Sequence, residues 1–265
     1  MSETSSAELQ DAPVRNEPPS DPPQMSEIST IAGIFFEPGR TFEDLKRKPR
    51  FIIASVIIAL LVTAYAFGMY YKVGEAGMRR VIMEQMDKSP QAQSMSNEQK
   101  SGAVDMQMKI QTGVRYALPI FVFISLLIGG LLYFLGAKAF GGTGGFLHGL
   151  SVWVYSSIPP TVIGMIGSFI VLAIKSVDEI DVVASQRGLV HANPSLFIDG
   201  TAHPVLSTVV GTLDIFFIWG WILAAIGLRI TNKLSSGSAW GVVIIFAIIG
   251  TLFRIIGAIF SGNPT

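Results

Sequence analysis

Two charged side chains sit where charge is costly. Val205 to Arg229, VLSTVVGTLDIFFIWGWILAAIGLR, is apolar except for Asp214 until Arg229 closes it; a second apolar run, Ser238 to Phe260, carries Arg254. A charge in hydrocarbon costs at least ~2.5 kcal/mol, so each requires a partner or a wet pocket. If the first run enters a bilayer at Val205 and the second leaves through the same surface, Asp214 lies about 13 Å and Arg254 about 9 Å beneath it. These depths predict a charge-assisted pair between adjacent antiparallel helices. Such a pair could couple protons or ions, or it could fix how the helices dock. Docking is favoured, because the apolar runs hold no second carboxylate for a relay.

Other chemistries find little support. Gly141-Gly142-Thr143-Gly144-Gly145 is glycine-rich, but a phosphate loop needs Gly-Lys-Ser/Thr next and a dinucleotide fingerprint needs a preceding strand. A tight turn between spans fits better. His148, His191 and His203 match no metal-ligand spacing. There is no cysteine, which excludes disulfides and thiolate sites. No nucleophile–base pattern stands out, so the expectation is a non-enzyme with no catalytic residues, no cofactor and no metal.

The elements that must hold these residues are membrane spans. Half of the 265 residues are apolar and only 14% are charged, against about 25% in soluble domains. Lysine plus arginine equals aspartate plus glutamate, so no net field recruits nucleic acid. Five runs are long and apolar enough to cross a bilayer: 51–71, 116–140, 146–174, 205–229 and 238–260. The fold class is therefore an all-α integral membrane protein, a bundle of five transmembrane helices. Residues 72–115 between the first two spans are polar and Met-rich, and Ser96-Asn-Glu-Gln99 reads as a capping box. An extramembrane helical hairpin is expected there, its methionines packing the two helices together or offering an adaptable surface. Pro159 and Pro160 fall in the middle of the third span and predict a kink.

Residues 1–25 are rich in Pro, Ser and acids and are expected to be a disordered tail. The first 50 residues show no signal-peptide pattern. Ile28–Phe36 reads as a short helix at the membrane surface, and Thr41 as the N-cap of a second that ends before Pro49. Residues 26–50 thus form an amphipathic, basic segment ahead of a membrane domain over 51–261. Arg40, Lys46, Arg47, Lys48 and Arg50 crowd the near end of the first span. This predicts a cytoplasmic N-terminus and an external C-terminus.

Three stretches together resemble the Yip family, the Ypt/Rab-GTPase-interacting membrane proteins, and in particular its bacterial members. They are Phe35-Phe-Glu-Pro-Gly-Arg-Thr-Phe42; Gly141 to Phe146 leading to Tyr155-Ser-Ser-Ile-Pro159; and Asp214-Ile-Phe-Phe-Ile-Trp219 with Leu223 and Gly227 beyond. The resemblance covers residues 30 to 260. It implies a five-helix bundle in a bacterial cytoplasmic membrane, in a group linked to vesicle traffic and membrane organisation. The Asp-Leu-Tyr-Gly-Pro segment of the eukaryotic branch is absent, so the resemblance does not extend to binding of Rab-type GTPases. The expected partners are the lipid bilayer and other membrane proteins or a second copy of this chain. A scaffold acting through protein contacts is the leading expectation. A small transporter or channel component, using the kinked third span and the Asp214/Arg254 pair, is the alternative.

Overall fold

Long apolar runs without the period-two alternation of strands fold as helices, because only a helix satisfies every backbone amide within one segment in lipid. The computed structural model describes residues 24–87, 94–200, 202–261 and 264. Among these residues the chain forms eight α-helices and no strand: α1 (Glu27–Phe36), α2 (Pro38–Arg47), α3 (Ile52–Asp87), α4 (Asn97–Ala139), α5 (Phe146–Ile174), α6 (Pro204–Gly211), α7 (Ile215–Thr231) and α8 (Ser236–Ser261). Four helices are long and apolar enough to span a membrane, and the bent pair α6–α7 supplies a fifth crossing. Apart from Gln24 and Met25, the tail expected over 1–25 lies outside the described residues.

One expectation changes at the N-terminal end. Thr41 is not a cap: α2 starts at Pro38, whose missing N–H is harmless at a first helical position, and Thr41 is buried one turn inside. The C-terminal part of α3 and the N-terminal part of α4 form the expected helical hairpin. α4 runs without a break from the hairpin into its span, whereas α3 enters the hairpin across a kink at Gly74 (φ +72°), its one non-helical residue. Ser96 Oγ accepts from Gln99 N, and Gln99 Oε1 accepts from Ser96 N, closing the expected capping box. Met78, Met83, Met86 and Met108 pack around Ile82 and Val104 between the two helices. The Arg79–Asp105 and Lys100–Asp87 ion pairs, both 2.6 Å, flank that seam.

The bundle is tightest where α4 crosses α5. A Cβ at Gly130 would stand 2.7 Å from the Leu150 Cα, and one at Gly149 would stand 2.7 Å from the Phe134 backbone nitrogen. Backbones approach this closely only without side chains between them. Beside the crossing, Tyr133 meets Trp153 edge-on at 4.9 Å.

α5 runs unbroken through Pro159 and Pro160. The Ser156 and Ser157 hydroxyls donate to the Trp153 carbonyl, at 3.0 and 2.8 Å. Gly220 of α7 lies against the Ser156 carbonyl that Pro160 leaves without its helical donor. A break between helices falls in the fourth span, where α6 and α7 meet at 44°.

Candidate functional site

α1 and α2 are wedged into one end of the bundle, at the face that also carries the α4–α5 and α7–α8 turns. The local sequence explains why. Ile34 and Thr30 give α1 one buried face, and Thr41, Phe42, Asp44 and Leu45 do the same for α2. The Phe42 ring enters the space left by Gly227 of α7, where a Cβ would come within 2.8 Å of it. Phe35 meets Trp219 edge-on at 6.3 Å. Two of the three motif stretches therefore touch.

Beneath this wedge is a buried ion pair that the sequence reading did not single out. Asp44 is 1% exposed and Arg50 8%, and Asp44 Oδ2 is paired with the Arg50 guanidinium. Asp44 Oδ1 accepts from the backbone nitrogens of Gln24 and Met25, at 2.6 and 3.1 Å. Arg50 donates to the Met25 carbonyl at 2.9 Å, and its own carbonyl accepts from Ser151 Oγ of α5 at 3.0 Å. The pair thus clasps the start of α1, the middle of α2, the α2–α3 link and α5 in one network. The Tyr155 hydroxyl, Thr41 Oγ1, Ser55 Oγ and Arg50 Nε are buried without a hydrogen-bond partner among the described residues. Tyr155 is itself fully buried in the core. Sequence alone hid the pair because Asp44 reads as a first-turn acid and Arg50 as one of five basic residues. The available signal was Arg50 directly before an apolar run, where burial is as accessible as solvent.

The glycine run is a turn, and its neighbours show why. Gly141 has φ +81°, and a Cβ on Gly142 would meet the Ala137 carbonyl at 2.8 Å. The run folds over fully buried Asn232, whose carbonyl accepts from Thr143 N at 3.0 Å and whose side chain fills the space beside Gly144. His148 Nδ1 accepts from Gly145 N at 3.2 Å, so Nε2 carries the proton and donates to the Lys46 carbonyl at 3.1 Å. Both ring nitrogens are committed to backbone, which ties α5 to the end of α2. Charge pair, hydroxyls and histidine together make a clasp rather than a nucleophile–base couple.

At the opposite end, the expected Asp214–Arg254 bridge is not what the carboxylate makes. Asp214 caps α7 by accepting from Phe216 N at 2.9 Å. Its other oxygen accepts from Ala192 N and Asn193 Nδ2, at 2.9 and 2.8 Å. The depth argument failed because the span breaks at Asp214, so exposed backbone donors and the 175–203 loop reach it first. Arg254 lies over the Phe217 ring, 5.5 Å from its centroid. The same loop is pinned by the Tyr65 hydroxyl donating to the Ser185 carbonyl (2.8 Å) and by Ser168 Oγ accepting from Leu189 N (3.0 Å). Asp214→Ala removes a helix cap and a loop anchor together, with an expected loss of about 2 kcal/mol. Limited proteolysis will report it as faster cleavage within 188–200. Asp214→Asn and Arg254→Gln are expected to give additive losses, against the coupling a direct pair would show.

Pro159 and Pro160 sit deeper, behind Gly220. The candidate residues thus divide: Tyr155 and Trp219 join the clasp end, Gly141 and Gly142 shape its turn, and Asp214 and Arg254 belong to the far end.

Comparison with known proteins agrees with this architecture. The Yip1 domain matches residues 32–258, a stretch that begins inside α1 and ends in α8. Membrane protein YknW of Bacillus subtilis (strain 168) is 25% identical over 242 residues, covering 89% of this chain and 91% of that protein. No solved structure matches. With five crossings, the clasped N-terminal helices and a match over residues 32–258, this protein belongs to the Yip1 domain family.

Proposed function

We propose that this chain is a non-enzymatic membrane scaffold, acting through contacts with other membrane proteins, and that the α1–α2 platform is its contact surface. One observation carries the reading. α1 and α2 are held rigidly by buried groups, yet Phe36 and Ile28 remain 85% and 79% exposed. Glu37, Arg40 and Glu43 are exposed on the same pair of helices, and interfaces combine an apolar centre of this kind with charged residues at the rim. The basic residues Arg40, Lys46, Arg47 and Lys48 support a cytoplasmic side for this face, and the membrane of this proposal is the bacterial cytoplasmic one. The eukaryotic recognition segment is absent, so the partner is a membrane protein rather than a Rab-type GTPase.

The lack of cysteine makes the test clean. Full-length protein carrying a single cysteine at 36 and a cleavable crosslinker, in native membranes, is expected to yield a defined heterologous or homodimeric adduct. Ile28→Glu should reduce that adduct severalfold. Recovery of monomer alone would remove the proposal. An impermeant thiol reagent on whole cells should fail to label position 36 and should label a cysteine at 87.

A transporter reading has one observation in its favour, the broken fourth span with a carboxylate at the break. Broken helices line substrate sites in some transporters. Here, however, three protein donors occupy that carboxylate. Gradient-driven flux in proteoliposomes, abolished by Asp214→Asn, would favour transport over the scaffold.

A further inference from the structure

The ends of the first two spans farthest from α1 and α2 hold a buried cation. Arg115 is the last residue of α4 before the apolar run that begins at Tyr116, and it is only 9% exposed. Its guanidinium carbon lies 3.7 Å from the centroid of the Tyr70 ring on α3. No carboxylate pairs with it among the described residues. Glu75 and Asp105, the nearest acids along the two helices, are both bound to Arg79. A ring face attracts a guanidinium, but more weakly than an anion does, and a buried charge calls for a counter-charge.

The level of the site narrows what can supply one. Ile52 and Tyr70 bracket about 27 Å of α3, so Tyr70 and Arg115 stand where a hydrocarbon core of roughly 30 Å gives way to headgroups. Aromatic rings gather at the same level. Phe67 meets Tyr116 edge-on at 5.4 Å and stacks with Tyr71 at 6.5 Å. Tyr71 and Tyr116 are exposed, as tyrosines are in the belt where a membrane meets water. Lys72 and Lys109, on the same stretches of the two helices, form no ion pair among the described residues, so the surroundings are positive. The guanidinium is covered but not sealed: none of its nitrogens is both inaccessible and unbonded, and none is hydrogen-bonded to a described residue. Room remains beside it, since a Cβ built on Gly74 or Gly113 would meet nothing within 4 Å.

From this we infer that Arg115 and Tyr70 form a headgroup site for an anionic phospholipid in the leaflet opposite α1 and α2. The planar guanidinium donates to the lipid phosphate, a geometry that suits a fork of N–H groups better than a point charge. Tyr70 holds that fork in place from beneath, and exposed Tyr71 and Tyr116 flank the headgroup. Dissolved phosphate carries the same chemistry. Depth selects the lipid, because a phosphodiester layer lies permanently at the level of Arg115, one residue from the start of the apolar run. The inference is independent of the scaffold proposal, which concerns the opposite end of the bundle.

The test uses the full chain reconstituted in vesicles of phosphatidylcholine and phosphatidylglycerol. Tracer lipids of each class carry a photoreactive group on the headgroup, and labelled peptides are mapped after irradiation. Over 67–75 and 109–116, labelling by phosphatidylglycerol is expected to exceed that by phosphatidylcholine about fivefold, the roughly 1 kcal/mol that one cation near the surface adds for an anionic lipid. Arg115→Gln should lower that ratio to below about twofold. Tyr70→Leu keeps the charge but removes the ring that positions it, and should lower the ratio by about half. Unchanged labelling of the basic 40–48 segment in the other leaflet reports that each variant is still folded in the membrane. Inorganic phosphate added at constant ionic strength should leave the ratio as it was. Equal labelling by the two lipids in the unaltered protein, or a ratio indifferent to Arg115→Gln, would overturn the inference. Loss of the preference to inorganic phosphate would overturn it as well, by assigning the site to a free anion.

Discussion

Asp44→Ala is expected to destabilise the folded protein by about 3–5 kcal/mol, as removal of one partner of a buried ion pair does. The cause is what remains. Arg50, 8% exposed, would keep its charge with only the Met25 carbonyl in contact, and the Gln24 and Met25 amides would lose their acceptor. Arg50→Ala should cost a similar amount for the converse reason. The double replacement Asp44→Leu with Arg50→Met removes both charges while keeping volume, and it should recover most of the loss. A double-mutant cycle by steric trapping or denaturant unfolding in micelles measures the coupling. Undocking of α1 and α2 before the bundle opens will appear as a change in Trp219 fluorescence, since Phe35 leaves that ring. Additive losses in the cycle would mean the clasp is not a unit.

Gly149→Val should lose about 3 kcal/mol or more, at the upper end of overpacking effects. A Cβ there meets backbone, the Phe134 nitrogen at 2.7 Å and the Gly130 carbonyl at 2.9 Å, and backbone cannot rotate away. α4 and α5 must separate, and the Tyr133–Trp153 contact beside the crossing separates with them. Gly164→Ala in the same helix is the control. Nothing lies within 4 Å of its Cβ, so it should be neutral or gain up to about 1 kcal/mol from helix propensity. Equal losses at the two positions would show that crossing geometry is not what Gly149 provides.

Much of this fold was legible in order. The third span matches its sequence boundaries to the residue, and the fifth differs by two residues at its start and one at its end. Apolar length in lipid leaves few alternatives to a helix, so composition carries over directly into structure. The Ser96–Gln99 capping box was equally legible, because its chemistry is complete within four residues. The close approach of Gly130 and Gly149 joins residues of two helices, and no local stretch names both halves of it.

The misses share a cause. Pairing Asp214 with Arg254 assumed an uninterrupted helix, and a carboxylate three residues after Gly211 caps a new helix more readily than it crosses to another. Asp44 and Arg50 are separated by Pro49 and look like surface charges, and only the docking of α1 and α2 excludes water from them.

The amino-acid sequence alone determined that this chain lives in a bilayer, how many times it crosses and roughly where. Those properties depend on transfer free energies summed over local runs, which need no knowledge of neighbours. Tertiary structure decided which charges became partners, which glycines had to be glycine, and where the fourth span breaks. Each of these depends on which surfaces meet across long separations in the chain, and therefore on packing that no local stretch encodes.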